Sequence, residues 1–237
     1  MSALDPDHQI LPAISTSVVV SAPVEDPIVR HAKFYIDDDA TVVFCLGKTL
    51  YKVHRYFLIR ESHFFRDMFS LPPTDEHAHI EGMDDVHAIV LTGVTNFEFE
   101  SILDFFYYGM HSDYHTDLTV WIALLSISTR LIFEKVRSRA ITEINALSAS
   151  LDPFEQILLA IKYDVRDWLK VAYVRIVDRD ALITEKEAHR IPFSVLVMLM
   201  RARDYKQTTR TARARRGMVS TADIVEEEMA VMQRAES

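Results

Sequence analysis

Glycine and cysteine are scarce in this chain of 237 residues, with five of the first and one of the second. No two glycines lie close enough for GxGxxG or GxxxxGK(S/T), loops whose small residues let backbone amides approach a phosphate, so the common nucleotide motifs are excluded. Cys45 alone can form neither an internal disulfide nor a multi-cysteine zinc site, which suits a reducing compartment, cytosol or nucleus. No window reaches about 18 uninterrupted apolar residues, and the first thirty residues lack the basic start and apolar centre of a signal peptide. Positive charge is short as well: the net charge is −9, and residues 1–200 alone carry −11. An acidic body argues against sequence-independent phosphate binding, so neither nucleic acid nor membrane is an expected partner of it, and no cofactor is expected.

Hydrophobic residues make up 49% of the chain, enough for a folded body. Residues 1–33 differ, mixing Pro6, Pro12, Pro23 and Pro27 with Ser, Thr and acids, and read as a flexible arm in which Val18-Val19-Val20 is a weak strand candidate. Order is expected from near Phe34. Thr41–Leu46 and Thr49–His54 are β-branched apolar runs separated by Gly47-Lys48, the signature of a hairpin. Phe57 to Phe69 carries apolar residues at helical spacing, broken near Glu61-Ser62, and predicts two short helices. A surface loop is expected over Leu71–Asp85 and a strand over Ala88–Val94.

Thr95-Asn96-Phe97-Glu98 has the capping-box form, followed by Phe99, Ile102, Leu103 and Phe106 on one face and by Gly109 as a left-handed C-cap, which predicts a helix over 96–108. Asp117 caps another apolar helix, and Phe133 to Leu147 marks a further one. Asp152-Pro153-Phe154-Glu155 and Thr184-Glu185-Lys186-Glu187 repeat the capping box, so residues 152–206 read as several short helices broken at Asp180 and Pro192. The fold class is α+β, a small sheet covered by helices and followed by an all-helical extension.

Four of these pieces together resemble the BTB/POZ family. Leu50 to Leu58 is similar to its strand followed by x-x-H-(R/K)-x-x-L, on His54, Arg55 and Leu58. Glu61 to Phe69 is similar to S-x-x-F-x-x-M-F, on Ser62, Phe65, Met68 and Phe69. Ile89–Val94 resembles its third strand, and Phe97–Gly109 resembles the helix carrying Phe99, Ile102, Leu103, Tyr108 and Gly109. The resemblance spans about 34–147. Residues 148–206 are similar to the helical extension of a large fungal subgroup, and 207–237 form a charged tail with a candidate terminal helix.

The resemblance implies a non-enzymatic interaction module, which pairs with a second copy of itself or adapts one protein to another. It also implies an alternative, the substrate side of a cullin-based ubiquitin ligase. The nearest match to the family's cullin-docking φ-x-E element is Met83-Asp84-Asp85, with Asp in place of Glu. No Kelch repeat, MATH domain or zinc finger accompanies it in this sequence.

Several residues invite sharper readings. His54 and Cys45 read as structural, the first hydrogen-bonded within the fold and the second a small buried hydrophobe. His77 and His79 with Asp75, Glu76 and Glu81, and His111 with Asp113 and His115, would be the ligands of a metal-dependent hydrolase, but loop spacing favours plain surface. Trp121 and Trp168 read as core. Arg210, Arg213, Arg215 and Arg216 lie in a stretch that holds +6 over 201–216 and faces −4 over 217–237. They form either a nuclear address or, the favoured reading, a mobile solvated tail without an apolar face over 207–217. The stripe Ile224, Val225, Met229 and Met232 docks on the body or on a partner, and the sequence leaves that open.

Overall fold

A computed structural model describes residues 27–36, 40–71, 81–110, 114–212 and 220–235. The Val18-Val19-Val20 run, His77, His79, His111 and the arginines at 213, 215 and 216 lie outside them.

The two β-branched runs form β2 (Thr41–Leu46) and β3 (Thr49–His54), paired antiparallel from Thr41 opposite His54 to Leu46 opposite Thr49. Gly47 turns the hairpin at φ +59°, a conformation that costs an L side chain and not a glycine. Strand structure begins at Val29, inside the stretch up to residue 33 expected as an arm. β1 (Val29–Tyr35) pairs parallel with β3, with Val29 beside Thr49 and Tyr35 beside Lys52. Its side chains are mostly exposed, so no hydrophobic pattern announces it. The backbone ladder holds it, aided by buried Phe34 and by His31, whose ring stacks 4.7 Å from Tyr51 and 5.3 Å from Phe34. The expected third strand shrinks to β4 (Ile89–Val90), because the chain turns away at Thr92-Gly93. The sheet order is β1-β3-β2-β4. Cys45 is half-buried on β2 and not a core residue, its thiol lying 3.6 Å from the Gly47 carbonyl near the hairpin turn.

α1 (Arg55–Glu61) and α2 (His63–Ser70) break at Ser62 as expected. α3 (Asn96–Asp104) opens with the full capping box: the Thr95 hydroxyl accepts the Glu98 amide at 3.2 Å, and Glu98 Oε2 accepts the Thr95 amide at 2.8 Å. The helix does not end at a left-handed Gly109. It widens into a π-helical turn over Phe105–Gly109, and glycine is needed there for close approach: a Cβ on Gly109 would lie 2.6 Å from the Tyr114 ring. α4 (Leu118–Arg130), capped by Asp117 on the Val120 amide, and α5 (Glu134–Ala146) complete this half.

α6 (Pro153–Lys162), α7 (Asp167–Asp178), α8 (Glu185–Ala188), α9 (Phe193–Ala212) and α10 (Thr221–Ala235) follow. At α6 only the Asp152 half of the expected box is present among the described residues, its carboxylate accepting the Glu155 amide at 3.2 Å while also pairing with Arg190. Packing is continuous past residue 147. Leu151, Ala160, Tyr163, Val165 and Trp168 belong to the same core as Trp121 and the sheet, while Phe154 and Ile157 on α6 join a second core with Tyr173, Ile176, Leu199, Ile224 and Val225. Arg175 on α7 fastens the connection by donating to the carbonyls of Ser148 and Leu151 and to Gln156 Oε1.

Two expectations about the tail change. α9 continues helically to Ala212, across the position where a solvated tail was expected to begin, and α10 lies on α7 and α9 with Ile224 and Val225 buried. Thr221 donates to Asp178 Oδ1 at 2.7 Å and Lys170 to Glu226 Oε2 at 2.5 Å, so the terminal stripe docks on the body. The position of Arg210 falls within α9.

The α8 capping box is complete, and it carries an acid-sensitive pair. Glu187 accepts the Thr184 amide and a two-pronged approach from Arg179 at 2.7 and 2.8 Å. The Arg179 guanidinium, against opposing burial, pulls the Glu187 carboxyl down to about 2. A lowered folded-state pKa stabilises above the unfolded value near 4.5 and is lost as pH falls from there toward 2. Melting temperature followed across that window is therefore expected to fall less steeply in Glu187→Gln than in the unaltered protein, with the variant less stable at neutral pH. Parallel curves would show that the pair does not contribute.

Candidate interaction surface

Most motif residues that the sequence singles out build the scaffold. Leu58, Phe65, Phe99, Ile102 and Leu103 are buried, with Met68 and Phe69 packed against them. Ser62 acts as an elbow pin: its hydroxyl accepts the Phe65 amide at 3.2 Å and donates to the Leu131 carbonyl at 2.6 Å, joining the α1–α2 break to the α4–α5 turn. Arg55 lies with its guanidinium 4.4 Å over the Phe69 ring. His54 is half-buried, and the Tyr107 hydroxyl accepts its backbone N–H at 3.1 Å and hydrogen-bonds Nδ1 at 2.9 Å. Burial pushes the Tyr107 hydroxyl pKa up, which keeps it a neutral hydrogen-bonding group.

Tyr108 is different. The π-helical turn leaves it 64% exposed, and just past the turn Met110 meets Arg60, which shares α1 with Tyr56, itself 61% exposed. Arg60 is the hub of this patch. Its guanidinium lies 5.0 Å over the Tyr56 ring and 5.5 Å over that of Phe57, Nη1 donates to the Tyr56 hydroxyl at 3.3 Å, Nη2 to Met110 Sδ at 3.0 Å and Nε to Glu61 at 2.5 Å. From β1, Lys33 pairs with Asp104 and lies 4.5 Å over the Tyr108 ring. The bond to Asp104 raises the pKa of the Lys33 ammonium. Beside the patch is a pocket of about 310 Å³ between Glu61, Phe105, Met110, Lys135 and Arg139. Sequence reading passes over Tyr56, Arg60, Met110 and Lys33. Only the i, i+4 spacing of Tyr56 and Arg60 on α1 hints at a shared face.

The Met83 and Asp85 pair sits on another side. Met83 is 60% exposed, but Asp85 is held by Arg30, with Nε at 2.8 Å and Nη2 at 2.6 Å, and by the Tyr35 hydroxyl. Burial opposes ionisation of Asp85, yet those two partners outweigh it and hold the carboxyl below its usual range. The Asp85 carboxylate thus ties β1 to the segment before β4. Among the described residues no cluster of His, Cys, Asp and Glu could hold a metal ion, and His115 is exposed.

The BTB/POZ domain family model matches residues 34–144. No curated protein matches the chain. The match covers the sheet, the α1–α2 elbow, the π-turn and α4–α5, and leaves the four-residue-to-twenty-residue helices α6 to α10 beyond it. BTB/POZ domains are protein-interaction modules, and an exposed aromatic and arginine patch is the surface such a module needs. Residues 34–144 of this chain, a little under half of its length, are thus matched as a BTB/POZ domain.

Proposed function

We propose that the chain is a non-enzymatic interaction module that pairs with a second copy of itself through the patch of Tyr56, Arg60, Tyr108 and Met110. The observation that carries this reading is two tyrosines more than half exposed, each with a cation over its ring, Arg60 over Tyr56 and Lys33 over Tyr108; tyrosine and arginine are residue types that supply most binding energy at interfaces. A two-fold interface sets the same patch against itself and so needs both charge signs within it. Lys33 and Arg60 lie there beside Asp104 and Glu61. Sedimentation velocity is expected to give a species of twice the 27.3 kDa chain mass, converted to the single-chain mass by Tyr56→Asp with Tyr108→Asp. A strict monomer at high micromolar concentration would sink the proposal.

The adaptor reading, in which Met83 and Asp85 meet a cullin, has less support, since the Asp85 carboxylate already has two partners in the fold. Calorimetry with a cullin N-terminal domain separates the readings. Saturable heat that is lost in Met83→Asp would favour the adaptor.

A further inference from the structure

The helical half has its own open cavity, of about 380 Å³, between the segment around α8 and one face of α9. Leu196, Met200, Asp204 and Gln207 line it from α9, recurring at helical spacing beside the face that buries Val195, Met198, Leu199 and Ala202. Leu182 and Ile183 line the opposite wall. That wall is held in place, because the α8 capping box and its Arg179 pair pin it. Below it Arg203, 9% exposed, donates to the carbonyls of Ile176, Ala181 and Asp180. Leu182 is 75% exposed and Met200 55%, two large apolar side chains at the opening that gain little from the fold.

The cavity lining carries two carboxylates and one cation. The carboxylates of Glu185 and Asp204 line it with no ion pair among the described residues. The lining cation, Arg203, is spent on backbone carbonyls. An apolar floor with open carboxylates above it complements an apolar side chain carried between cations. We propose that this cavity docks a partner protein segment presenting a large apolar residue flanked by Lys or Arg. The volume is within the range of built ligand sites and suits the insertion of one or two side chains. This site is separate from the self-association face and does not depend on it.

The test is selection from a phage-displayed library of random dodecapeptides on the full chain, with counter-selection on Met200→Glu. Enriched peptides are expected to carry Leu, Met, Phe or Trp between basic residues. Their affinity by fluorescence anisotropy should drop about tenfold or more in Met200→Glu and in Leu182→Asp. The Glu185→Gln, Asp204→Asn pair should weaken binding several-fold and flatten its salt dependence, since it removes the attracting charge. Tyr56→Asp with Tyr108→Asp should bind as the unaltered protein does. Circular dichroism melts of the cavity variants matching the parent separate lost contact from lost folding, and two chemically different variants guard against one misfolding. No enrichment over the counter-selected pool, enrichment of acidic or uncharged sequences, or equal binding by both cavity variants would overturn the proposal. So would a cavity that takes only small apolar molecules.

Discussion

Phe99→Ala is expected to lower the unfolding free energy by about 3 to 5 kcal/mol, read from the midpoint of urea denaturation. Phe99 has no exposed surface and stands where α3 crosses the sheet, with Tyr51 edge-on at 5.1 Å and Phe44 at 5.5 Å. Both partners come from the hairpin, so removing the ring opens a cavity between helix and sheet that neither rigid layer can collapse into. Nearby, Tyr51 donates its hydroxyl to Glu100 at 2.9 Å, and burial together with that carboxylate raises the Tyr51 pKa. The ring that borders the cavity is thereby held in place and cannot swing in to fill it. Phe97→Ala is the internal control: Phe97 lies on the same helix but is 48% exposed, and its loss should cost well under half as much. Equal costs at the two positions would mean that the register of α3 is wrong.

Removal of residues 221–237 is expected to cost about 3 to 6 kcal/mol, the sum for re-exposing two core aliphatic side chains, Ile224 and Val225. It also breaks the Thr221 bond to Asp178 and the Lys170 pair with Glu226, the latter exposed and contributing little. The loss should be local. Hydrogen exchange is expected to show α7 and α9 losing protection while β2, β3 and α3 keep theirs, because the buried side chains of α10 belong to the second core. An unchanged melting temperature would show that the helix does not contribute to the body. Uniform loss of protection would show that the two cores unfold as one unit.

The parts legible in the sequence share a physical character: they depend on residues close together in the chain. The hairpin needs two apolar runs and a glycine between them, the α1–α2 break needs Glu61-Ser62, and the α3 and α8 starts need a hydroxyl three residues before a glutamate. Each is settled within a few residues, and each appears in the structure. The candidate site was less legible. His54, Ser62 and Gly109 stand out in the sequence, yet their work is to hold Tyr107, the Leu131 carbonyl and the Tyr114 ring, partners up to 69 positions away. Tyr56 and Arg60 are linked in the sequence by their i, i+4 spacing alone, and nothing there links Met110, 50 positions on, to Arg60; the fold brings the two together just past the π-turn.

Sequence alone determined that this chain has an α+β half built on a BTB/POZ pattern with helices after it, because local periodicity, caps and turn chemistry do not need distant partners. Tertiary structure decided three things that no local pattern holds. β1 forms because a backbone ladder with β3 is available to it, although its own side chains are mostly in water. Asp85 is taken by Arg30 and Tyr35 because β1 runs past it, so a residue that reads as free for a partner is committed to the fold. The stripe of Ile224 and Val225 is core because α7 and α9 leave a matching apolar seam. An amphipathic stripe specifies that a face will be buried, but what buries it depends on surfaces assembled from the rest of the chain.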